Sequence, residues 1–327
     1  MRVSKFHIPM KSVLAGVLCT ALATPQVLAA PFAYVPNQKS GSISVIDVAS
    51  DTVTRTLTAS GKLGKRLQAI DVSSDGKVLY VVDAEHNDLF AIDPVSDSVV
   101  RKVAIGDDAE GVRLSPSGNQ LAVCAEGQNL VLLIDAKTLR IDAKIPVKGR
   151  NPEHCEFTPD GKHLVTSNEG SDNLDVIDLA TRVSTGVIAT SGHPRGAAFL
   201  PDGSLLYVAQ ESANKVDVIN VAERKKTRSI DTALRTAGLT ITSDGKRIYA
   251  TNGGAGSVSV IDTATNKVIR EIPVGKRPWN MALTPDGKKL YVANGRSNSV
   301  SVIDTVTLAV VKEIAVGELP WGVVISP

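Results

Sequence analysis

A short motif recurs along almost the whole chain: two apolar residues followed by an acid or its amide. The motif occurs seven times, and its third residue is Asp47, Asp93, Asp135, Asp178, Asn220, Asp262 or Asp304. Successive copies are 46, 42, 43, 42, 42 and 42 residues apart. A fixed period in this range is typical of repeat folds in which each copy is one supersecondary unit.

Residues 279–317 show what one unit contains. Four short runs rich in β-branched and aromatic residues alternate with turn residues, and Asp286-Gly287 supplies a dipeptide suited to a tight hairpin. No stretch of the mature chain has a sustained helical period. Four antiparallel strands in about 42 residues form one blade of a β-propeller, so the sequence predicts an all-β, seven-bladed β-propeller.

The two ends of the chain predict how the ring closes. Residues 32–37 match the second strand of a blade, whereas residues 321–327 match a first strand. We therefore expect the C-terminal strand to complete the N-terminal blade, which would remove the exposed edges of an open array.

The first 29 residues are typical of a secretory signal. Arg2, Lys5 and Lys11 precede the apolar run 13–23, which is too short to span a membrane, and small residues follow near Ala29. We expect residues 1–29 to be removed and residues 30–327 to form a single domain in the periplasm or outside the cell. Loss of three cations changes the formal charge from +2 to −1. That balance argues against nucleic-acid binding, and we expect no membrane insertion.

Only Cys124 and Cys155 remain in the mature chain. They could form one optional disulfide, since exported proteins meet an oxidising environment. We favour the simpler interpretation, in which both are buried small hydrophobic residues.

The wording of the repeat, seen in Lys289-Leu290-Tyr291-Val292-Ala293-Asn294 and in Ile272-Pro273-Val274-Gly275, resembles the YVTN family of β-propeller repeat proteins. The resemblance covers residues 32–327. Within the family, the chain is similar to the exported seven-bladed propellers associated with quinone-dependent alcohol catabolism. The resemblance implies a binding or accessory protein that serves a periplasmic oxidation or transport system. The repeat motif itself is structural and carries no chemistry.

Site residues are expected where the loops that enter the innermost strands meet around the central channel. Alignment of the repeats on Pro278 places seven residues at this mouth: Gln68, Glu110, Glu153, Arg195, Ala237, Trp279 and Trp321. Both tryptophans fall on neighbouring blades, with charged residues opposite. Such a mouth suits a ligand or partner with one flat apolar side and one polar side, but the tryptophans could equally serve only to pack blade against blade.

A second possibility is an acid–base or divalent metal site built from Glu110, Glu153, His154 and Arg195. His193, Glu126, Glu169 and Glu211 lie on adjacent loops of the same face. However, Glu153 and His154 are consecutive on a strand, so their side chains should point to opposite faces unless the strand is distorted. We therefore expect no metal and no cofactor, except under this alternative.

Two functions remain compatible with the sequence. The favoured one is an exported, non-enzymatic binding protein, expected to be a monomer, that uses Gln68, Glu110, Glu153, Arg195, Trp279 and Trp321 to hold a periplasmic protein or a small organic ligand. The alternative is a hydrolase or lyase on the same scaffold, similar in architecture to propeller lactonases. The basic run 224–228 is expected on an outer strand, where cations protect an exposed edge.

Overall fold

Seven four-stranded antiparallel sheets surround a central channel, which confirms the predicted seven-bladed propeller. The computed structural model describes Met1 and residues 31–327, so the signal peptide predicted for residues 1–29 lies, apart from Met1, outside the described residues. Within the described part, no helix is long and apolar enough to cross a membrane.

The strands are numbered in chain order, and each blade contributes one strand to each of four concentric positions. The innermost strands are β4 (Leu67–Val72), β8 (Ala109–Leu114), β12 (Pro152–Phe157), β16 (Pro194–Phe199), β20 (Thr236–Ile241), β24 (Pro278–Leu283) and β28 (Val324–Ile325). The second strands are β1 (Phe32–Asn37), β5 (Leu79–Asp83), β9 (Gln120–Ala125), β13 (His163–Asn168), β17 (Leu205–Gln210), β21 (Arg247–Asn252) and β25 (Lys289–Asn294). The third strands are β2 (Ser42–Asp47), β6 (Asp88–Asp93), β10 (Leu130–Asp135), β14 (Asn173–Asp178), β18 (Lys215–Asn220), β22 (Ser257–Asp262) and β26 (Ser299–Asp304). The outer strands are β3 (Thr52–Leu57), β7 (Ser98–Ala104), β11 (Ile141–Pro146), β15 (Val183–Ala189), β19 (Lys225–Asp231), β23 (Lys267–Pro273) and β27 (Ala309–Ala315).

Blade 1 consists of β28 and β1–β3, and blades 2 to 7 follow in groups of four strands from β4–β7 to β24–β27. Short 3₁₀ helices at Glu126–Gln128 and Glu169–Ser171 follow the second strands of blades 3 and 4. The basic run 224–228 overlaps the outer strand β19 of blade 5, as expected.

The ring closes through the C-terminal strand, as the sequence predicts. Strand β28 pairs antiparallel with β1, with Val324 opposite Tyr34 and Ile325 opposite Ala33. The backbone N–H of Trp321 also donates to the carbonyl of Pro36 at 3.0 Å. Blade 1 therefore contains both ends of the described segment, and the inner edge of β1 is covered.

The recurring acid of the repeat motif has a local structural role. In blade 7 the Asp304 carboxylate accepts a hydrogen bond from the backbone N–H of Thr307 at 2.7 Å, and Asp262 does the same with Thr265 at 2.8 Å in blade 6. These Asx turns connect third and outer strands. At the opposite hairpin, Gly287 has a φ of 68°, a left-handed conformation that glycine adopts without steric cost.

The apolar core lies between the blades. Tyr207, Tyr249 and Tyr291, each on a second strand, are completely buried among Val, Ile and Leu side chains. The Tyr207 hydroxyl donates to Asn266 of the next blade at 2.9 Å. Alternating apolar positions on the second and third strands therefore hold each sheet against its neighbours.

The two cysteines form a disulfide, and the favoured interpretation of two separate buried thiols is wrong. Cys124 on β9 of blade 3 and Cys155 on β12 of blade 4 are bonded, with their Cα atoms 6.3 Å apart. Both residues are buried in the core between these blades. The spacing of the cysteines could not reveal the pairing, because it depends on how adjacent blades face each other.

Candidate functional site

The mouth of the channel is built by a distortion that recurs in the innermost strands. In blades 2 to 7 the pairing of the innermost strand with the second strand shifts register just after the first residue of the strand. Such bulges leave a residue out of the ladder and redirect its side chain. The unpaired residues include six that were predicted to ring the mouth: Gln68, Glu110, Glu153, Arg195, Ala237 and Trp279. In blades 5 to 7 the next residue, Gly196, Gly238 or Asn280, is unpaired as well.

The bulge in β12 overturns one prediction. Glu153 and His154 were expected to point to opposite faces, yet Nε2 of His154 lies 3.9 Å from Oε1 of Glu153. The register shift between Pro152 and His154 removes the strict alternation on which the expectation was based. Burial, together with the charges of Arg195 and Arg113, lowers the pKa of His154 to about 3, so its imidazole is neutral at ordinary pH.

Arg195 of blade 5 contacts three acids, two on blade 4 and one on its own blade. Its Nη2 atom lies 2.6 Å from Oε1 of Glu153, and its Nη1 atom lies 3.1 Å from Oε2 of Glu169 and 3.5 Å from Oε2 of Glu211. Arg195 and Glu153 are close enough for an ion pair, but the contact is not aligned as a hydrogen bond. Neither carboxyl oxygen of Glu153 receives a directed hydrogen bond from a nitrogen or hydroxyl donor. The Glu153 side chain is completely buried beneath this arginine.

Burial and neighbouring charges shift the pKa values of three carboxyl groups on this side of the mouth. Burial raises the pKa of Glu153 well above its usual range, since the charge of Arg195 compensates only in part and its carboxyl also contacts that of Glu169. The same burial raises the pKa of Glu110. For Glu169, burial is outweighed by contact with the Glu153 carboxyl and by Arg195, so its pKa is lowered. Burial therefore favours the neutral form of Glu153, whereas the ionised form of its neighbour Glu169 is stabilised.

Glu126 extends the acidic side. Burial and the charges of Glu110 and Glu169 raise the pKa of Glu126 to about 7. Its Oε1 accepts a hydrogen bond from the Asn151 side chain at 2.9 Å. A carboxyl group that titrates near neutrality can both give and take a proton under physiological conditions.

A second cluster, which sequence reasoning missed, gathers cations on Glu211. Arg235 Nη2 lies 2.7 Å and Arg277 Nη2 3.0 Å from Glu211 Oε1, in addition to the contact with Arg195. His193 also contacts Glu211, at 3.6 Å, and pairs with Glu169. The repeat alignment could have identified both arginines. Arg235 and Arg277 occupy equivalent positions, each just before the first residue of an innermost strand, where the backbone is left-handed.

The two tryptophans are adjacent but differ in exposure. Their rings meet edge to face, with an interplanar angle of 77°. Trp321 is 6% exposed and packs blade 7 against blade 1. Trp279 is partly exposed to solvent and lies under Arg277, whose guanidinium carbon is 5.4 Å from the centroid of the Trp279 ring. The indole N–H of Trp279 is buried without an acceptor. Gln68 completes the mouth by donating to Glu110 at 3.0 Å.

Below the mouth, the channel contains a cavity of about 130 Å³. It is lined by His154, Met281 and Asn280, and by the Arg113–Glu156 ion pair, whose closest atoms are 2.7 Å apart. Within residues 31–327, no group of three or more His, Cys, Asp or Glu side chains is arranged to hold a metal ion. The described residues of the mouth offer guanidinium donors, an aromatic face and buried carboxyl groups.

These features define a seven-bladed propeller with a charged and aromatic mouth. A family model for lactonases with a seven-bladed β-propeller matches residues 96–193 and 180–307, which together cover more than half of the chain. The chain belongs to this lactonase-type seven-bladed β-propeller family. No curated protein matches the sequence significantly.

Solved structures share the architecture at low sequence identity. Hydrazine synthase of Kuenenia stuttgartiensis has a TM-score of 0.76 and 23% identity, with 89% of this chain and 99% of that chain covered. A protein of unknown function from Desulfotomaculum acetoxidans has a TM-score of 0.79 and 16% identity, with coverage of 90% and 98%. The dihydro-haem d1 dehydrogenase NirN, in complex with DHE, has a TM-score of 0.67 and 16% identity, with coverage of 94% and 78%. At such identities the likeness shows the fold alone.

Proposed function

We propose that this chain is an exported, non-enzymatic recognition protein whose channel mouth binds an anionic group of a partner protein or of a small organic ligand. One observation carries the proposal: three arginines, Arg195, Arg235 and Arg277, converge on the single carboxylate of Glu211. Each guanidinium has five N–H donors in a planar fork, so one carboxylate leaves donors available.

The exposed part of this cluster fits a ligand with a flat apolar portion. The Arg235 side chain is 52% exposed, and Trp279 lies next to Arg277 at the surface of the mouth. A carboxylate can accept hydrogen bonds from Arg235 and Arg277 while its apolar body covers the Trp279 ring. Arg195 and the buried acids hold the arginine cluster in place from below.

Capture of partners from a periplasmic extract tests the proposal. Immobilised wild-type protein is compared with Trp279→Ala, with Arg235→Ala and with a control, Arg66→Ala. Arg66 occupies the equivalent position on blade 2, where its side chain is 49% exposed and pairs with Asp108. Loss of a true hot spot should weaken binding about 30-fold, equivalent to about 2 kcal/mol. Equal capture by Trp279→Ala and Arg235→Ala would reject the mouth as the binding site.

Lactone hydrolysis is a second candidate, favoured by the family match and by the acids of the mouth whose pKa values are raised. A carboxyl with a pKa near 7 suits general acid–base catalysis, in which water adds to the lactone carbonyl, the ring C–O bond breaks and the alkoxide takes a proton. A screen of lactones should then show turnover that Glu126→Gln abolishes and Glu318→Gln, at an exposed position, leaves intact. Metal analysis of purified protein completes the comparison, since Ca²⁺ or Mg²⁺ lost on mutation of Glu153 would indicate a metal-assisted reaction.

A further inference from the structure

The longest interval of the repeat contains a loop that forms a groove at the junction of blades 1 and 2. The first interval has four residues more than the usual 42, and they fall in the loop 58–65 that connects blade 1 to blade 2. This loop forms one wall of a groove of about 790 Å³, and the outer half of blade 2 forms the other. The groove, called here the rim groove, lies between the loop 61–65 and residues 85–102 and shares no lining residue with the channel cavity.

The loop is held rigidly at both ends by acids of blade 2. The backbone N–H of Ala59 donates to Asp97 at 2.8 Å, and the backbone N–H of Gly64 donates to the buried Asp83 at 2.7 Å. A Cβ atom at Gly64 would lie 2.7 Å from Oδ1 of Asp83, so only glycine permits this approach. The backbone N–H of Lys65 also bonds Glu85. The groove is therefore preformed, which reduces the entropy lost on binding.

The floor of the rim groove is apolar. It contains the buried ring of Phe90, the partly buried side chains of Leu63 and Val99, and Val100, which is 45% exposed. A volume of this size lies within the range of about 300–1,000 Å³ that is typical of small-molecule pockets. An apolar floor of this kind contributes affinity for a hydrocarbon chain or ring.

The rim of the groove is cationic, and its acids are already engaged. Asp88 is paired with Lys102 at 2.8 Å, and Asp83 and Glu85 bind the loop backbone. By contrast, within the described residues the exposed side chains of Lys62, Lys65 and Arg101 form no ion pair. Three cations without an acidic partner around an apolar floor favour a ligand that brings its own negative charge.

We propose that the rim groove is a binding site for an amphipathic organic anion, a molecule in which one carboxylate, sulfonate or phosphate group is joined to an apolar chain or ring. The apolar body lies on Phe90 and Val100, and the acid group lies between Lys62 and Arg101. This site is independent of the function proposed for the channel mouth.

The fluorescent probe 8-anilinonaphthalene-1-sulfonate tests the site, because it combines an aromatic body with one sulfonate. We expect one saturable site, displaced by octanoate but not by inorganic phosphate at the same concentration and ionic strength. The double variant Lys62→Glu/Arg101→Glu should weaken the probe at least tenfold. The matched control Lys225→Glu/Arg228→Glu changes the same charge on exposed positions of the outer strand β19 and should alter the affinity less than twofold.

The remaining outcomes each decide the matter. Displacement by phosphate alone would indicate a simple anion site and overturn the proposal, as would an equal loss in the control variant or the lack of saturation. If the unfolding midpoint shows that the charge reversal impairs folding, two other variants, Lys62→Gln/Arg101→Gln and Val100→Asp, are used instead. The affinity for the probe should fall at least threefold in Lys62→Gln/Arg101→Gln and at least tenfold in Val100→Asp. Unchanged affinity in both variants would overturn the proposal.

Discussion

Arg195 on β16 lies with its Nη2 atom 2.6 Å from Oε1 of Glu153 on β12, so a guanidinium–carboxyl contact joins the innermost strands of neighbouring blades at the channel mouth. The same guanidinium reaches Glu169 and Glu211. Blades 4 and 5 are thus connected by charge as well as by apolar packing.

Replacement of Arg195 by methionine should destabilise the protein by about 3 kcal/mol, because removal of one partner leaves buried acids without compensation. Chemical denaturation followed by circular dichroism measures this change. Arg182→Met, which removes an exposed arginine that donates to the Asp142 carbonyl, should change the free energy of unfolding by less than about 1 kcal/mol. Equal losses in both variants would contradict a special role for Arg195.

Glu153→Gln should be tolerated at pH 7, with a loss below about 1 kcal/mol, since the amide resembles the protonated carboxyl that burial already favours. Glu153→Ala should cost about 3 kcal/mol, because it leaves a cavity beneath Arg195. Denaturant midpoints of the two variants at pH 7 provide the comparison. A large loss in Glu153→Gln would show instead that Glu153 is ionised.

The free energy of unfolding should decrease as the pH rises from 5 to 8. Glu126 has a folded-state pKa of about 7 against the ordinary value of 4.5, so between these values the folded state binds more protons than the unfolded state. Stability from this group is complete below pH 4.5 and is lost as the pH passes 7. In Glu126→Gln, the free energy of unfolding should fall by about 1 kcal/mol less between pH 5 and pH 8 than it does in the wild type. This value allows for solvent screening at a partly solvated site. An identical pH profile in Glu126→Gln and wild type would disprove the assignment.

Loss of the disulfide between Cys124 and Cys155 should destabilise the protein by about 3–4 kcal/mol, because the bond closes a loop of 31 residues and restricts the unfolded chain. The variant Cys124→Ala/Cys155→Ala and the wild type with reductant should unfold at similar denaturant concentrations. Reductant should not shift the midpoint of the double variant any further. A wild type that is insensitive to complete reduction would contradict this expectation.

Trp321→Ala should cost about 3–5 kcal/mol, the usual loss for a buried tryptophan. Trp279→Ala should cost less, because its ring is already partly solvated and contributes chiefly to the surface of the mouth. Thermal unfolding of both variants distinguishes them. The opposite ranking would mean that closure of the ring depends more on blade 7 than on the C-terminal segment.

Features with local causes were predictable from the sequence. The turn at Asp304 and the hairpin at Gly287 depend on residues within a few positions of each other, and the sevenfold recurrence of the acid revealed the blade. The ring positions could also be aligned, since one period relates them. The meeting of Glu153 and His154 could not be predicted, because a register shift between strands decides it.

The sequence by itself determined the number of blades, the pairing of its two ends and the residues that surround the channel, because a repeated hydrophobic pattern specifies the same sheet each time. Only the tertiary structure decided which charges meet, which tryptophan is buried and that the two cysteines are bonded. These contacts join residues of different blades, and their energies depend on distances and burial that arise once the ring has closed. The pairing of Arg235 and Arg277 with Glu211 is of this kind, because three blades must come together to form it.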